Sequence, residues 1–193
     1  MNSARLTVLN STLLVIDVQD KLLVKMPDPS GLVRDVAFLI DVARLLQVPV
    51  VATEQYPKGL GPTNAELMRR LAANLPSKMT FSCGGAPGLL ADLRSAARPQ
   101  VVLAGMETHV CVLQTPLDLL AEGFRVFLPV DALQARYPLD HDMALRRAER
   151  SGAILTTVEA TAFEWLGTAD HPQFKTISKM IQERMTAMLA KVK

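Results

Sequence analysis

The chain has 193 residues, a formal net charge of +2, 49% hydrophobic and 21% charged residues; this is a globular composition with chain enough for one sizeable core, and it excludes the disordered and collagen-like classes. Basic residues are scattered, as in Arg69-Arg70 and Arg146-Arg147, and no aromatic platform is interleaved with them, so a nucleic acid partner is not expected. The longest apolar runs, such as Leu13 to Ile16 and Val101 to Ala104, fall far short of the roughly 20 residues of a membrane-spanning helix.

In chain order, a nearly continuous apolar strand over Leu13 to Val18 comes first. Ser30 caps a helix from Gly31 to Leu46, with Val33, Val36, Ile40 and Ala43 on one stripe, and a second strand follows over Val48 to Ala52. Asn64 caps a helix carrying Leu67, Leu71 and Leu75 on one face. A less apolar strand over Lys78 to Phe81 precedes a helix from Pro87 to Ala97 that Pro99 stops. A strand over Val101 to Ala104 leads to a helix from Thr108 to Ala121, a strand over Val126 to Val130 to a helix from Leu139 to Arg150, and a strand over Ala153 to Thr157 to a last helix through Phe174, Ile177, Ile181, Met185, Met188 and Val192. Strands without apolar alternation are buried on both faces, which requires helices above and below a parallel sheet. The expected fold is therefore a single α/β domain over residues 1–193, a three-layer α/β/α, doubly wound, six-stranded parallel sheet of Rossmann-like form.

Ligands bind such sheets at the carboxyl ends of the strands. The first strand delivers Asp17, Gln19 and Asp20 there; the second delivers Thr53, Glu54, Gln55 and Tyr56; the third brings Lys78; the fourth runs into Gly105-Met106-Glu107-Thr108-His109-Val110-Cys111. Asp17 interrupts an apolar run and needs a partner if buried, either as a turn cap or as an acid or base of shifted pKa. Cys111 lies about one turn into a helix, where free amides and the dipole favour a thiolate; the alternative is a small buried apolar residue. Cys83, in a Gly-rich loop, reads as inert, and His109 is expected to point away from Cys111. Acid, lysine and thiol together make a base, a cation and a nucleophile over one crevice.

The trio Asp17, Lys78 and Cys111, with the motif Gly105-Met106-Glu107-Thr108-His109-Val110-Cys111-Val112, resembles the isochorismatase-like cysteine hydrolases. Within them, Ala52 to Thr63, Lys78 to Ser82 and His171 to Lys175 are similar to the isochorismatase domain-containing subgroup. The resemblance implies Cys111 as nucleophile, Asp17 as proton acceptor and Lys78 as the residue that holds both and favours the thiolate. It also implies a cis peptide between Met106 and Glu107 that aims the amides of Glu107 and Cys111 at an oxyanion. Gln19, Glu54, Gln55 and Tyr56 are candidates to line the substrate pocket. Metal-binding members carry an Asp-x-His pair and a further His where this chain has Thr53-Glu54-Gln55, so no metal and no other cofactor is expected.

The activity expected is metal-independent hydrolysis of a small amide, carbamoyl or related substrate through a covalent Cys111 intermediate. A catalytically silent scaffold with an interaction or regulatory role is the competing class, and a nucleic acid enzyme a third. The resemblance further implies a homo-oligomer, dimer or tetramer, with a small-molecule substrate, while the charge balance and the short apolar runs argue against nucleic acid and membrane partners. Two cysteines and the absence of a secretory signal point to a reducing, cytoplasmic setting; the first ten residues, with Arg5 and no acid, leave a mitochondrial presequence as the alternative.

Overall fold

The computed structural model describes residues 5–190, so the expected end of the last helix at Val192 and the first four residues of the segment read for a presequence lie outside the described residues. Its strands are β1 Ser11–Ile16, β2 Val50–Gln55, β3 Ser77–Lys78, β4 Gln100–Met106, β5 Arg125–Pro129, β6 Leu133–Gln134 and β7 Ile154–Thr156. They form one seven-stranded sheet in the order β3-β2-β1-β4-β5-β7, with β6 alongside the end of β4, and every pairing is parallel. The sequence reading expects six strands; the seventh, β6, is only two residues long, too short for a hydrophobic period to register. The helices are α1 Asp20–Leu23, α2 Pro29–Leu45, α3 Pro57–Leu60, α4 Ala65–Met68, α5 Leu89–Ser95, α6 Leu113–Ala121, α7 Pro138–Arg150, α8 Val158–Leu166 and α9 Phe174–Leu189.

Side chains alternate across the central strands. Leu13 and Val15 of β1, with Val102, Ala104 and Met106 of β4, pack beneath α2, α8 and α9; Leu14, Ile16, Val101 and Leu103 face the opposite core with both cysteines. Each strand thus feeds two cores, which is why its sequence reads as unbroken apolar residues. The strand order reverses between β1 and β4, and the crevice at their carboxyl ends is the place where such sheets bind ligands.

Local chemistry differs from expectation at several helix ends. Asp28, not Ser30, caps α2, accepting from the Gly31 amide at 2.9 Å. The helix after Asn64 stops at Met68; Leu71 and Leu75 still pack on the core, but from a chain that turns back so that Pro76 accepts from the Glu54 amide and β3 can pair with β2, a tertiary demand that overrides helix propensity. Helix α8 has no counterpart among the expected elements. Thr157 and Asp131 cap its start, and Trp165 donates from Nε1 to Ser11 Oγ at 3.0 Å. A buried cluster fixes the next helix, Arg184 of α9 bonding Asp35 of α2 at 2.8 Å and Asp131 at 2.7 Å. Among the described residues no helix is long and apolar enough to cross a membrane.

Gly105 is the tightest point of the sheet. It sits opposite Ile16 in the β1–β4 ladder with φ +131, and a Cβ there would lie 2.2 Å from the Ile16 carbonyl oxygen. The expected result of Gly105→Ala is a loss of about 3 kcal/mol or more, since backbone clash adds to a positive φ; chemical denaturation of the variant measures it.

Candidate active site

Asp17 follows β1 directly and adopts a left-handed conformation, φ 52, which short polar residues tolerate better than others. Its side chain and that of Lys78 are both 0% exposed, and Lys78 Nζ lies 2.6 Å from Asp17 Oδ2. An ammonium has three protons, and here they meet Asp17, Gln55 Oε1 at 2.7 Å and the Phe81 carbonyl at 2.9 Å, with the Thr80 carbonyl beyond at 3.3 Å. Lys78 is therefore a locked cation with no proton to spare for a ligand. The other carboxylate oxygen, Oδ1, accepts from Thr53 Oγ1 at 2.8 Å.

The end of β2 supplies both auxiliary groups. Thr53 and Gln55 stand two residues apart on one face of a strand, the first turned onto Asp17 and the second onto Lys78. Gln55 in turn is clamped by Gln19, which accepts from its amide at 2.8 Å and donates to its carbonyl at 3.0 Å. Gln19 and Gln55 are thus buried structural partners of the ion pair. Glu54 faces away and holds the next loop, accepting from the Thr63 amide and hydroxyl at 2.7 and 2.9 Å. Tyr56 is 45% exposed and lines, with Lys58, Met79, Thr80 and Pro87, a cavity of about 460 Å³ that also touches Lys78.

Cys111 enters from the other side of the crevice. The peptide between Met106 and Glu107 is cis, as the resemblance implies, and the chain then makes a π-helical turn over Thr108–Val112 before α6. Val112 donates five residues back to the Glu107 carbonyl at 3.1 Å. The expected single helix from Thr108 thus begins with a π turn and continues as α6, which contains Pro116; the Cys111 carbonyl is met by Thr115 Oγ1 at 2.7 Å. Pi turns of this kind recur at functional sites.

Cys111 is 5% exposed, and its thiol lies near enough to Asp17 and Lys78 to feel the charge of both. Burial first, and then the charge of Asp17, push its pKa up to about 12 from an ordinary 9.0, against the opposite pull of Lys78. The helix start and Lys78 are expected from sequence to ease ionisation; the correction is that desolvation and the negative charge of Asp17 outweigh them. At neutral pH the resting state is a neutral thiol beside an ion pair. Cys83, read as inert, is 0% exposed and lies 3.4 Å from Thr53 Oγ1, with its own thiol pushed up to about 11 by burial and Asp17. Thr115 Oγ1 accepts from the Cys83 amide at 2.9 Å while donating to the Cys111 carbonyl, so one hydroxyl joins the two cysteine backbones. His109 turns toward Asp140, Nε2 to Oδ2 3.7 Å.

Asp17, Lys78 and Cys111, the residues expected from the sequence, converge at this crevice. Thr53 joins them as a partner of Asp17 that the sequence reading does not predict. The strand period was the available signal, because Thr53 shares a face with Gln55.

The Isochorismatase domain model matches residues 11–160. Isochorismatase domain-containing protein 2 from Homo sapiens is 43% identical over 181 residues, covering 90% of this chain and 84% of that protein; the Bos taurus protein of the same name is 47% identical over 150 residues, covering 76% and 71%. Among solved structures, one named MAR1 ribonuclease from Caenorhabditis elegans superposes with a TM-score of 0.87 at 42% identity, covering 93% of each chain.

Breaking a buried ion pair from one side leaves an uncompensated charge. Lys78→Met is expected to lose roughly 3 to 5 kcal/mol of stability, and the double variant Asp17→Asn/Lys78→Met to recover most of it. Urea denaturation of the single and double variants checks this; additive losses would show that the two charges act independently.

Proposed function

This chain belongs to the isochorismatase family, and within it we propose that it is a cysteine hydrolase acting on a small amide, carbamoyl or related carbonyl substrate through a covalent Cys111 intermediate. The observation that carries this reading is the wholly buried Asp17–Lys78 pair, 2.6 Å apart, with the buried Cys111 thiol near enough to feel the charge of both.

With the resting thiol neutral, a preformed thiolate is not the attacking species. The sulfur attacks the carbonyl carbon as its proton passes to Asp17, which makes Asp17 a general base acting within the step. The amides of Glu107 and Cys111 receive the developing oxyanion. Collapse of the tetrahedral adduct expels the amine, which leaves with the proton held by Asp17, and a thioester remains on Cys111. Water then attacks that thioester while giving its proton to Asp17, and the thiol is restored. Lys78 holds Asp17 in place throughout, its ammonium donating to Asp17, Gln55 and the Phe81 carbonyl. The reaction as proposed is metal-independent: at the end of β2, Thr53 and Gln55 commit their side chains to Asp17 and Lys78.

The name of the nematode structure supplies a second reading, cleavage of RNA. The scattered basic residues and a net charge of +2 favour the small-molecule reading.

p-Nitrophenyl acetate serves as a general acylating probe. Wild-type protein is expected to release nitrophenolate with an acetyl group appearing on Cys111 by mass spectrometry. Cys111→Ala should lose the adduct and fall by about a thousandfold or more, to the buffer rate, whereas Cys83→Ala should keep both. An adduct that survives in Cys111→Ala defeats the assignment. Absence of any adduct on wild type favours the silent scaffold, and RNA cleavage lost in Cys111→Ala favours the second reading.

A further inference from the structure

Glu107 is held more firmly than its place in a loop requires. On one side, Gly105 and Met106 pair with Leu133 and Gln134 of β6. On the other, the Glu107 carbonyl accepts from the amides of Val110 at 3.0 Å and Val112 at 3.1 Å. Its side chain, only 11% exposed, is fixed by a third tie, Arg136 Nε donating to Oε2 at 2.8 Å. Arg136 stands two residues beyond Gln134, and its guanidinium lies 5.9 Å from the centre of the Tyr137 ring. A parallel tie joins the next residue, Thr108 Oγ1 meeting His141 Nδ1 at 2.9 Å. None of these contacts is used in the acid–base chemistry of Asp17 and Cys111.

We propose that Arg136 is a positioning residue, which through the Glu107 carboxylate fixes the Glu107 amide that receives the oxyanion. This rests on the hydrolase reading above. The carboxylate is largely buried; without a donor it has reason to swing toward water, and the main chain that carries it would follow. The guanidinium is 40% exposed, and a pair this open to solvent contributes little to the stability of the fold. Its effect is expected in the alignment of a donor, where displacement by about 1 Å costs up to a hundredfold in rate.

Two reagents separate this role from a general one. Acetylation by p-nitrophenyl acetate forms the S–C bond through a tetrahedral oxyanion and breaks the C–O bond to nitrophenol, which leaves with the thiol proton. Alkylation by iodoacetamide forms an S–C bond by displacing iodide, with the thiol proton going to solvent, and no oxyanion develops. In Arg136→Ala, acetylation of Cys111 should fall about tenfold, alkylation should stay within about twofold of wild type, and the thermal midpoint should be unchanged. Arg136→Lys, which keeps a cationic donor beside Glu107, should recover most of the acetylation rate. Equal losses in both reactions, or acetylation unchanged in Arg136→Ala, would overturn the inference while leaving the hydrolase reading intact. A wild-type protein that alkylates at Cys111 but never acetylates would defeat the hydrolase reading, and this inference with it.

Discussion

A carboxylate and an ammonium lie in contact where no water reaches either of them, and much of the local architecture exists to make that tolerable. Removing two charges from water costs several kcal/mol each, and mutual attraction offsets this only when the remaining lone pairs and protons are also satisfied. Here they are. Thr53 serves one oxygen of Asp17; Gln55, Phe81 and Thr80 serve the protons of Lys78. The need to deliver those groups explains why α4 stops early, why β3 pairs with β2 for only two residues, and why Gln19 is spent on gripping the Gln55 backbone.

The same pair sets the state of the Cys111 thiol. A carboxylate near a buried thiol opposes its ionisation, and the opposite pull of Lys78, whose charge already meets Asp17, is outweighed by that charge and by burial. The consequence is a thiol that rests neutral, and in the proposed reaction it gives up its proton only as it attacks. Cys83 shares the burial and the electrostatics, but its sulfur faces Thr53 and its amide is tied to Thr115. The difference between the two cysteines thus lies in contact and position. It does not lie in intrinsic acidity.

Much of this was legible in the sequence. Apolar runs without alternation led to a two-faced parallel sheet, and an acid ending the first such run marked the crevice. The family motif pointed to the thiol. Other features were hidden for identifiable reasons. Strand β6 is too short to carry a period, and α8 depends on Asp131 and Ser11, residues far away in the chain. Asp28 and Ser30 are both good caps, and only the path of the backbone decides between them. The direction of the Cys111 shift was hidden because helix-start amides and a nearby lysine can be read from residue order, whereas depth of burial and nearness to the Asp17 charge are properties of the folded chain.

The claim that the ion pair governs the thiol is tested most directly by titrating Cys111 alone. In a Cys83→Ala background, thiolate absorbance followed against pH should show a midpoint well above the ordinary 9.0, and Asp17→Asn in the same background should lower it, because a negative charge opposing the thiolate is gone while Lys78 remains. A midpoint near or below about 8 with Asp17 present, or one that Asp17→Asn leaves unmoved, would contradict the account.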